Sequence, residues 1–210
     1  MQPPAVILAQ GTSRRMGRDK GLVRLGGRPL IAHVVERLAP QCGALAINGP
    51  AAFGAAALSV DATLIDEAPF AGKGPLGGIR AGLVWARTAT PLASHLLIVP
   101  VDMPFLPADL VERLRGGLAP HGAAIAMSPD GRIVPVLGLW PLSALEPVEQ
   151  VLRGGNTLAV HAVLDLIEWR GVEFSAEALA DIDDPAALAA AEAWAEAWAE
   201  ARIAAAPPRP

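Results

Sequence analysis

Five apolar residues in a row, Ala5-Val6-Ile7-Leu8-Ala9, closed off by Gln10-Gly11, constrain the fold more than any other feature of this chain. A strand that is apolar at successive positions has no face for water, so it must lie inside a sheet covered on both sides, the condition of largely parallel sheets. Residues 10–28 then carry Gly11, Gly17, Gly21, Gly26 and Gly27, and Pro29 precedes Leu30, Ile31, Val34, Val35 and Leu38 at helical spacing. The order is strand, glycine-rich loop, helix. Ala44 to Ile47, ending at Asn48-Gly49, Ala62 to Ile65, ending at Asp66, and His95 to Val101, ending at Asp102, read as further strands that stop on a polar residue. A Pro/Gly-rich loop over residues 69–78 leads into a helix carried by Ile79, Leu83 and Val84 through Ala86. Spacing predicts helices over 107–118, 142–152 and 157–164, with Gly154-Gly155 as a break. It predicts strands over 123–127 and 132–139, an antiparallel pair around the turn Pro129-Asp130-Gly131, and a final strand over 166–169.

From Asp184-Pro185 onward the composition turns to Ala and Glu, which predicts a long terminal helix with Asp184 as N-cap and Pro185 at the first helical position. Trp194 and Trp198, four residues apart, are expected to anchor that helix on the sheet or on a partner chain. Residues 204–210 end in Pro-Pro-Arg-Pro and are expected to be a disordered tail beyond a single domain over residues 1–203. Alternating strands and helices predict an α/β, Rossmann-like, mostly parallel sheet with helices on both faces. In such sheets ligands bind beyond the carboxyl ends of the strands. Gln10, Asn48, Asp66 and Asp102 are thereby expected along one rim.

Composition narrows the function classes. Hydrophobic residues make up 52% and charged residues 18%, enough apolar surface for a packed core. The formal net charge of −4 argues against the broad basic footprint that nucleic-acid binding needs. Within this acidic chain, Arg14, Arg15, Arg18, Lys20, Arg24 and Arg28 stand against the single acid Asp19, so one basic segment lies among the glycines. That arrangement suits a small polyanion such as a triphosphate better than a long polymer. No apolar run approaches a membrane span and no basic leader precedes Ala5, so a cytoplasmic protein is expected. Cys42, the sole cysteine, excludes an intrachain disulfide and reads as a small buried filler. His33, His95, His121 and His161 lack metal-ligand spacing and read as structural or exposed; Met103 and Met127 read as core. Ser13 lies outside any Gly-x-Ser-x-Gly elbow, which argues against a hydrolase nucleophile.

The loop from Leu8 to Lys20 combines backbone N–H groups beside glycines with cations, the materials of a phosphate cradle. It is not a P-loop, because five residues separate Gly11 from Gly17 and no Gly-Lys-Ser/Thr follows; nor does it fit Gly-x-Gly-x-x-Gly. Lys20, between Gly17 and Gly21, is placed for phosphate contact rather than as a solvated charge. Asp102, at a strand end, is a hard oxygen ligand suited to Mg²⁺ in company with substrate phosphates; its bland alternative is a helix N-cap.

The segment Leu8-Ala9-Gln10-Gly11, with Ser13-Arg14-Arg15-Met16-Gly17 and Asp19-Lys20, resembles the signature of molybdenum cofactor guanylyltransferases. The likeness continues in Gly74-Pro75-Leu76-Gly77-Gly78-Ile79, Pro100-Val101-Asp102-Met103-Pro104-Phe105-Leu106, Gly138-Leu139-Trp140-Pro141 and Asp181-Ile182-Asp183-Asp184-Pro185, nearly the whole chain. The resemblance implies a nucleotide-diphospho-sugar transferase type of fold. It implies that Leu8, Ala9, Gln10 and Gly11, with Asn48 and Asp66, hold GTP, that Lys20 and Arg15 meet its phosphates, and that Asp102 binds Mg²⁺. The implied reaction is attack by the phosphate of molybdopterin, or molybdenum-molybdopterin, on the α-phosphorus of GTP, with release of pyrophosphate. Implied too are a monomer and contact with molybdoenzyme chaperones or the molybdopterin-loading protein. Gln10 stands where the family usually has glycine, Asp181 and Asp183 where it commonly has asparagines, and Gly155-Asn156-Thr157 lacks a basic residue often found there. The two aspartates read as a cap on the last helix ahead of a second cation site. These departures keep open a cytidylyltransferase or sugar-phosphate nucleotidyltransferase, and a silent nucleotide or pterin carrier.

Overall fold

In a computed structural model, the apolar runs become β-strands separated by helices in chain order. The structure describes residues 1–10, 12–13, 18–50, 53, 60–155 and 158–204, and for 12, 13, 18 and 195–204 the backbone alone. The elements are β1 (Pro4–Leu8), the two-residue strands β2 (Thr12–Ser13) and β3 (Arg18–Asp19), a 3₁₀ turn at Lys20–Leu22, and the hairpin β4 (Arg24–Leu25) and β5 (Arg28–Pro29). There follow α1 (Leu30–Leu38), β6 (Ala44–Asn48), β7 (Ala62–Leu64), α2 (Pro75–Ala89), β8 (His95–Pro100), α3 (Leu110–Gly116), β9 (Ala123–Met127) and β10 (Ile133–Pro141). The chain continues through α4 (Leu145–Gly154), α5 (His161–Leu164), β11 (Trp169–Glu173) and α6 (Pro185–Ala204).

Seven of these strands form one sheet in the order β11-β9-β10-β8-β1-β6-β7. β1 pairs in parallel with both β6 and β8, β7 continues in parallel beside β6, and β10 alone runs antiparallel, between β8 and β9. This is the mostly parallel α/β sheet that the alternation predicts. Because side chains alternate across a strand, Ala5 and Ile7 of β1 enter one core cluster and Val6 the other. The first cluster takes Ile31, Val34 and Leu38 of α1 and Leu110 and Leu114 of α3. The second takes Leu76, Ile79 and Leu83 of α2 and Val148 and Leu152 of α4. Each such residue, withdrawn fully from water, contributes about 1.5–3 kcal/mol, and the two clusters fix the sheet between helical layers.

Several boundaries differ from the periodicity for physical reasons. α2 begins at Pro75, ahead of the first apolar signal, because Gly77 and Gly78 pack closely without adding hydrophobicity. α3 is confined to Leu110–Gly116, and Gln41 Oε1 accepts the Val111 N–H at its first turn. The helix expected over 142–152 opens with a 3₁₀ turn and ends at Gly154, with Gly155 left-handed (φ 67°) as the expected break. Of the stretch 157–164 only His161–Leu164 is helical among the described residues. The final strand is Trp169–Glu173 rather than 166–169: it is an exposed sheet edge, selected by parallel pairing with β9 and not by apolar content.

The terminal helix corrects a further expectation. α6 packs on the β4–β5 hairpin and the start of α1, where Val23, Leu25, Leu30, Ile182 and Ala191 form a third cluster with Leu188 and Phe105. Among the described residues its apolar contacts are with this cluster rather than with the seven-stranded sheet. Trp194 meets Phe105 edge-on with ring centroids 5.9 Å apart and stays 42% exposed, while the Trp198 side chain lies outside the described residues. Asp184 caps this helix as expected, its Oδ1 accepting the Ala187 N–H at 2.9 Å. Of residues 204–210, assigned to a tail, Ala204 still belongs to α6 and 205–210 lie outside the described residues. No described helix is long and apolar enough to cross a membrane.

Candidate functional site

The site forms where the central parallel strands end. The Ala9 N–H donates to Asn48 O at 2.8 Å and the Val101 N–H to Leu8 O at 3.1 Å, so the chains leaving β1, β6 and β8 are stitched together. Beyond these ends lies a cleft of about 520 Å³. Its floor includes Leu8, Asn48, Pro100 and Asp102; Gln10, Gly72, Gly74 and Pro75 line it, and residues 132–136 form a further wall. Lys20, Asp181 and Asp183 complete it.

Lys20, at the start of the 3₁₀ turn after β3, points its ammonium at Asp102, donating to Oδ2 at 2.7 Å, and also donates to Asp183 Oδ1. Asp183 reaches this point because the Ile182 N–H donates to Asp102 O at 2.9 Å, which draws residues 181–183 onto the end of β8. Burial alone would lower the lysine pKa, but hydrogen bonds and Coulomb attraction from Asp102 and Asp183 outweigh it and hold Lys20 above its ordinary value. For Asp102 burial is the stronger influence and pushes its carboxyl up, against the Lys20 hydrogen bond and attraction that lower it. Both shifts arise in one cluster, in which the Lys20 ammonium bridges the Asp102 and Asp183 carboxylates in a poorly solvated place. It can accept a further cation or yield its ammonium to an incoming polyanion.

Asn48 and Asp66 form a second polar pair on the rim. Asn48, 1% exposed, donates Nδ2 to Asp66 Oδ1 at 2.9 Å. Both are pressed by the first turn of α2: a Cβ on Gly78 would lie 2.3 Å from Asn48 Oδ1, and one on Gly77 2.5 Å from Asp66 Oδ2. Glycine is required at both positions by that close approach. Asp66 Oδ2 is buried with no hydrogen-bond partner among the described residues, beside the N-terminal turn of α2, whose dipole favours negative charge.

The structure therefore brings Lys20 and Asp102 into direct contact and puts Leu8, Gln10 and Asn48 in the same cleft. The Ala9 side chain is buried, leaving its backbone to join β1 to β6, and Asp66 stands behind Asn48 rather than lining the cleft. Gly11 and Arg15 lie outside the described residues. Asp102 is no N-cap: α3 begins later, after Asp109. Nor does Asp183 cap the last helix; Asp184 does, and Asp183 is committed to Lys20. The Lys20–Asp183 contact was legible only in the pattern Asp181-Ile182-Asp183, where burial of Ile182 turns its two neighbours the other way. The wall at 132–136 went unread, although Pro135 inside a strand pattern signals an irregular ladder. His33 Nε2 meets Leu25 O at 2.9 Å and His95 Nε2 meets Gly122 O at 3.2 Å, both structural as expected.

Residues 5–167 match the MobA-like NTP transferase domain. The chain belongs to the MobA-like NTP transferase family. Over 155 residues it is 46% identical to the molybdenum cofactor guanylyltransferase of Cereibacter sphaeroides, covering 72% of this chain and 75% of that protein. It is likewise 46% identical over 143 residues to the molybdenum cofactor guanylyltransferase of Rhodopseudomonas palustris, covering 66% of each. These relatives agree with the resemblance carried by the motifs. A crystal structure of molybdopterin-guanine dinucleotide biosynthesis protein A from Archaeoglobus fulgidus superposes with a TM-score of 0.69 at 21% identity, over 92% of this chain and 98% of that one.

Proposed function

We propose that this protein transfers the guanylyl group of GTP to the terminal phosphate of molybdopterin and releases pyrophosphate. The observation that carries this reading is the Lys20–Asp102–Asp183 cluster, set in the cleft at the ends of β1 and β8 beside the buried Asn48. The nucleoside would lie over Leu8, Gln10 and Asn48, as the family resemblance implies, and the triphosphate would reach Lys20. An oxygen of the acceptor phosphate forms a bond to the α-phosphorus while the bond to the bridging oxygen of pyrophosphate breaks, that oxygen leaving with the electron pair. The nucleophile is already anionic, so the protein has to position and neutralise rather than remove a proton. Lys20 suits this work because its raised pKa keeps it charged across the physiological range. Arg15, from the same loop, is the second cation the resemblance implies.

Mg²⁺ fits this donor set. Asp102 and Asp183 are hard oxygen ligands that converge on one cation, the Lys20 ammonium, in the cleft. Those two side chains would hold the ion, which would supply charge neutralisation at the transferring phosphoryl group. The same reading carries with it a cytoplasmic monomer that exchanges pterin and product with a molybdopterin-loading protein or a molybdoenzyme chaperone. The test is direct. The purified chain is incubated with molybdopterin, Mg²⁺ and each of the four NTPs, and pyrophosphate is measured; GTP should be preferred by at least an order of magnitude. Equal turnover of CTP, or turnover with a sugar phosphate in place of the pterin, would contradict the assignment.

A further inference from the structure

The sheet order arranges the rim in a line. The carboxyl ends of β6, β1 and β8 bring Asn48, Leu8 and Asp102 in turn, and β10 comes next. Because β10 runs antiparallel to β8, with Gly138 opposite Ile98 and Trp140 opposite Leu96, its beginning reaches past the end of β8. The register slip between Val134 and Gly138 breaks the ladder there, and residues 132–136 line the cleft. Asn48 and this wall thus stand three strand spacings apart, about 14 Å, with Lys20 and Asp102 between them.

One cation stands on that wall. Lys20 is bound to two carboxylates, whereas the guanidinium of Arg132 makes no hydrogen bond or ion pair among the described residues. Its backbone is nonetheless held on both sides. Arg132 O accepts from Ser128 N at 2.9 Å and Ser128 Oγ at 3.0 Å, its N–H donates to Asp130 Oδ1 at 3.3 Å, and Gly131 closes the turn in the left-handed region (φ 84°). Asp130, two residues back, attracts the Arg132 charge without pairing with it, and a fixed backbone carrying a fork with no hydrogen-bond partner among the described residues suits a phosphate monoester in a ligand cleft, which arginine can bind through two parallel hydrogen bonds.

We infer that Arg132 docks the phosphate of the acceptor, at the end of the cleft opposite the nucleoside of the donor. This rests on the proposed function, since it requires that the cleft holds a nucleotide at one end and a phosphorylated pterin at the other. It gives the chain an acceptor-phosphate contact that residues 155–157, with no basic side chain, do not provide.

The experiment uses the full chain and the variants Arg132→Ala and Arg132→Lys, with Tm measured to confirm that both fold. Binding of molybdopterin and of its dephosphorylated form is followed by pterin fluorescence, and GTP affinity is measured separately. A charge-assisted contact of this kind corresponds to about a 10- to 100-fold preference for the phosphorylated pterin. Wild type should show that preference, Arg132→Ala should lose it, and Arg132→Lys should keep part of it. GTP affinity should stay within about twofold. The KM for molybdopterin should rise in Arg132→Ala more than kcat falls. Undiminished discrimination in Arg132→Ala, or an equal loss of GTP affinity, would overturn the assignment. The equilibrium arm needs no turnover, so a wild type that discriminates yet releases no pyrophosphate counts against the proposed reaction and not against Arg132.

Discussion

The Asn48–Asp66 pair and the Lys20–Asp102–Asp183 cluster occupy the same rim of the sheet, yet different forces hold them. Asn48 and Asp66 are locked by contact: the glycine turn of α2 leaves no room for a methyl group, and hydrogen bonds from Asn48 Nδ2 to Asp66 Oδ1 and Leu64 O fix the amide. The lysine cluster is held by charge, with one ammonium shared between two carboxylates and with Asp183 still 41% exposed. A sterically locked pair can recognise a shape but cannot move without cost to the fold. An ion cluster can exchange partners when a polyanion and a cation arrive. The rim thus separates a rigid reading element from an exchangeable electrostatic one.

The largest effect should come from Lys20→Ala. Loss of a cation aimed at developing phosphate charge is worth about 3 kcal/mol, roughly a hundredfold in kcat, and steady-state kinetics at saturating GTP would measure it. A variant that kept full kcat would end the distinction between the two clusters. The same residue gives a pH test. Its folded pKa is raised, so its stabilisation is whole below the ordinary lysine value of 10.5 and is lost as pH rises through the folded value. Calorimetry between neutral pH and the alkaline limit should therefore show a fall in Tm for wild type that Lys20→Ala lacks.

Gly78→Ala probes the locked pair. Forcing a methyl group to 2.3 Å from Asn48 Oδ1 and 2.9 Å from Leu8 Cδ2 should cost about 1–3 kcal/mol. For a chain of this size that lowers Tm by roughly 2–12 °C, with GTP affinity weakened while the pH dependence assigned to Lys20 persists. Retention of the wild-type Tm would show that Asn48 moves freely and that the pair is not sterically locked. The smallest effect belongs to Asp183→Asn. Lys20 keeps Asp102, so kcat at saturating Mg²⁺ should change by less than about fivefold, while the Mg²⁺ concentration for half-maximal rate rises by a similar factor. A Mg²⁺ titration of activity reads both, and an unchanged half-saturation would remove Asp183 from the metal assignment.

Much of this was legible in the chain because it rests on local signals. Ala5-Val6-Ile7-Leu8-Ala9 could only be an interior strand, and Asn48, Asp66 and Asp102 announced themselves by terminating apolar runs. The exposed strand Trp169–Glu173 carried no such signal, since an edge strand is defined by its partner and not by its own hydrophobicity. The terminal helix showed its length and its Asp184 cap, but its docking on the β4–β5 hairpin depends on where Val23, Leu25 and Ile182 come to lie.

Sequence alone determined the class of fold, the run of strand-end polar residues, and the family signature, because periodicity, glycine placement and short motifs are properties of neighbouring residues. Only the tertiary structure decided that Asp183 completes the Lys20–Asp102 cluster and that Arg132 faces the same cleft. Those residues lie 163 positions from Lys20 and across an antiparallel strand, respectively; the alternation of Asp181-Ile182-Asp183 shows that the aspartates share a face, but not that sheet order and one backbone hydrogen bond bring that face to Lys20.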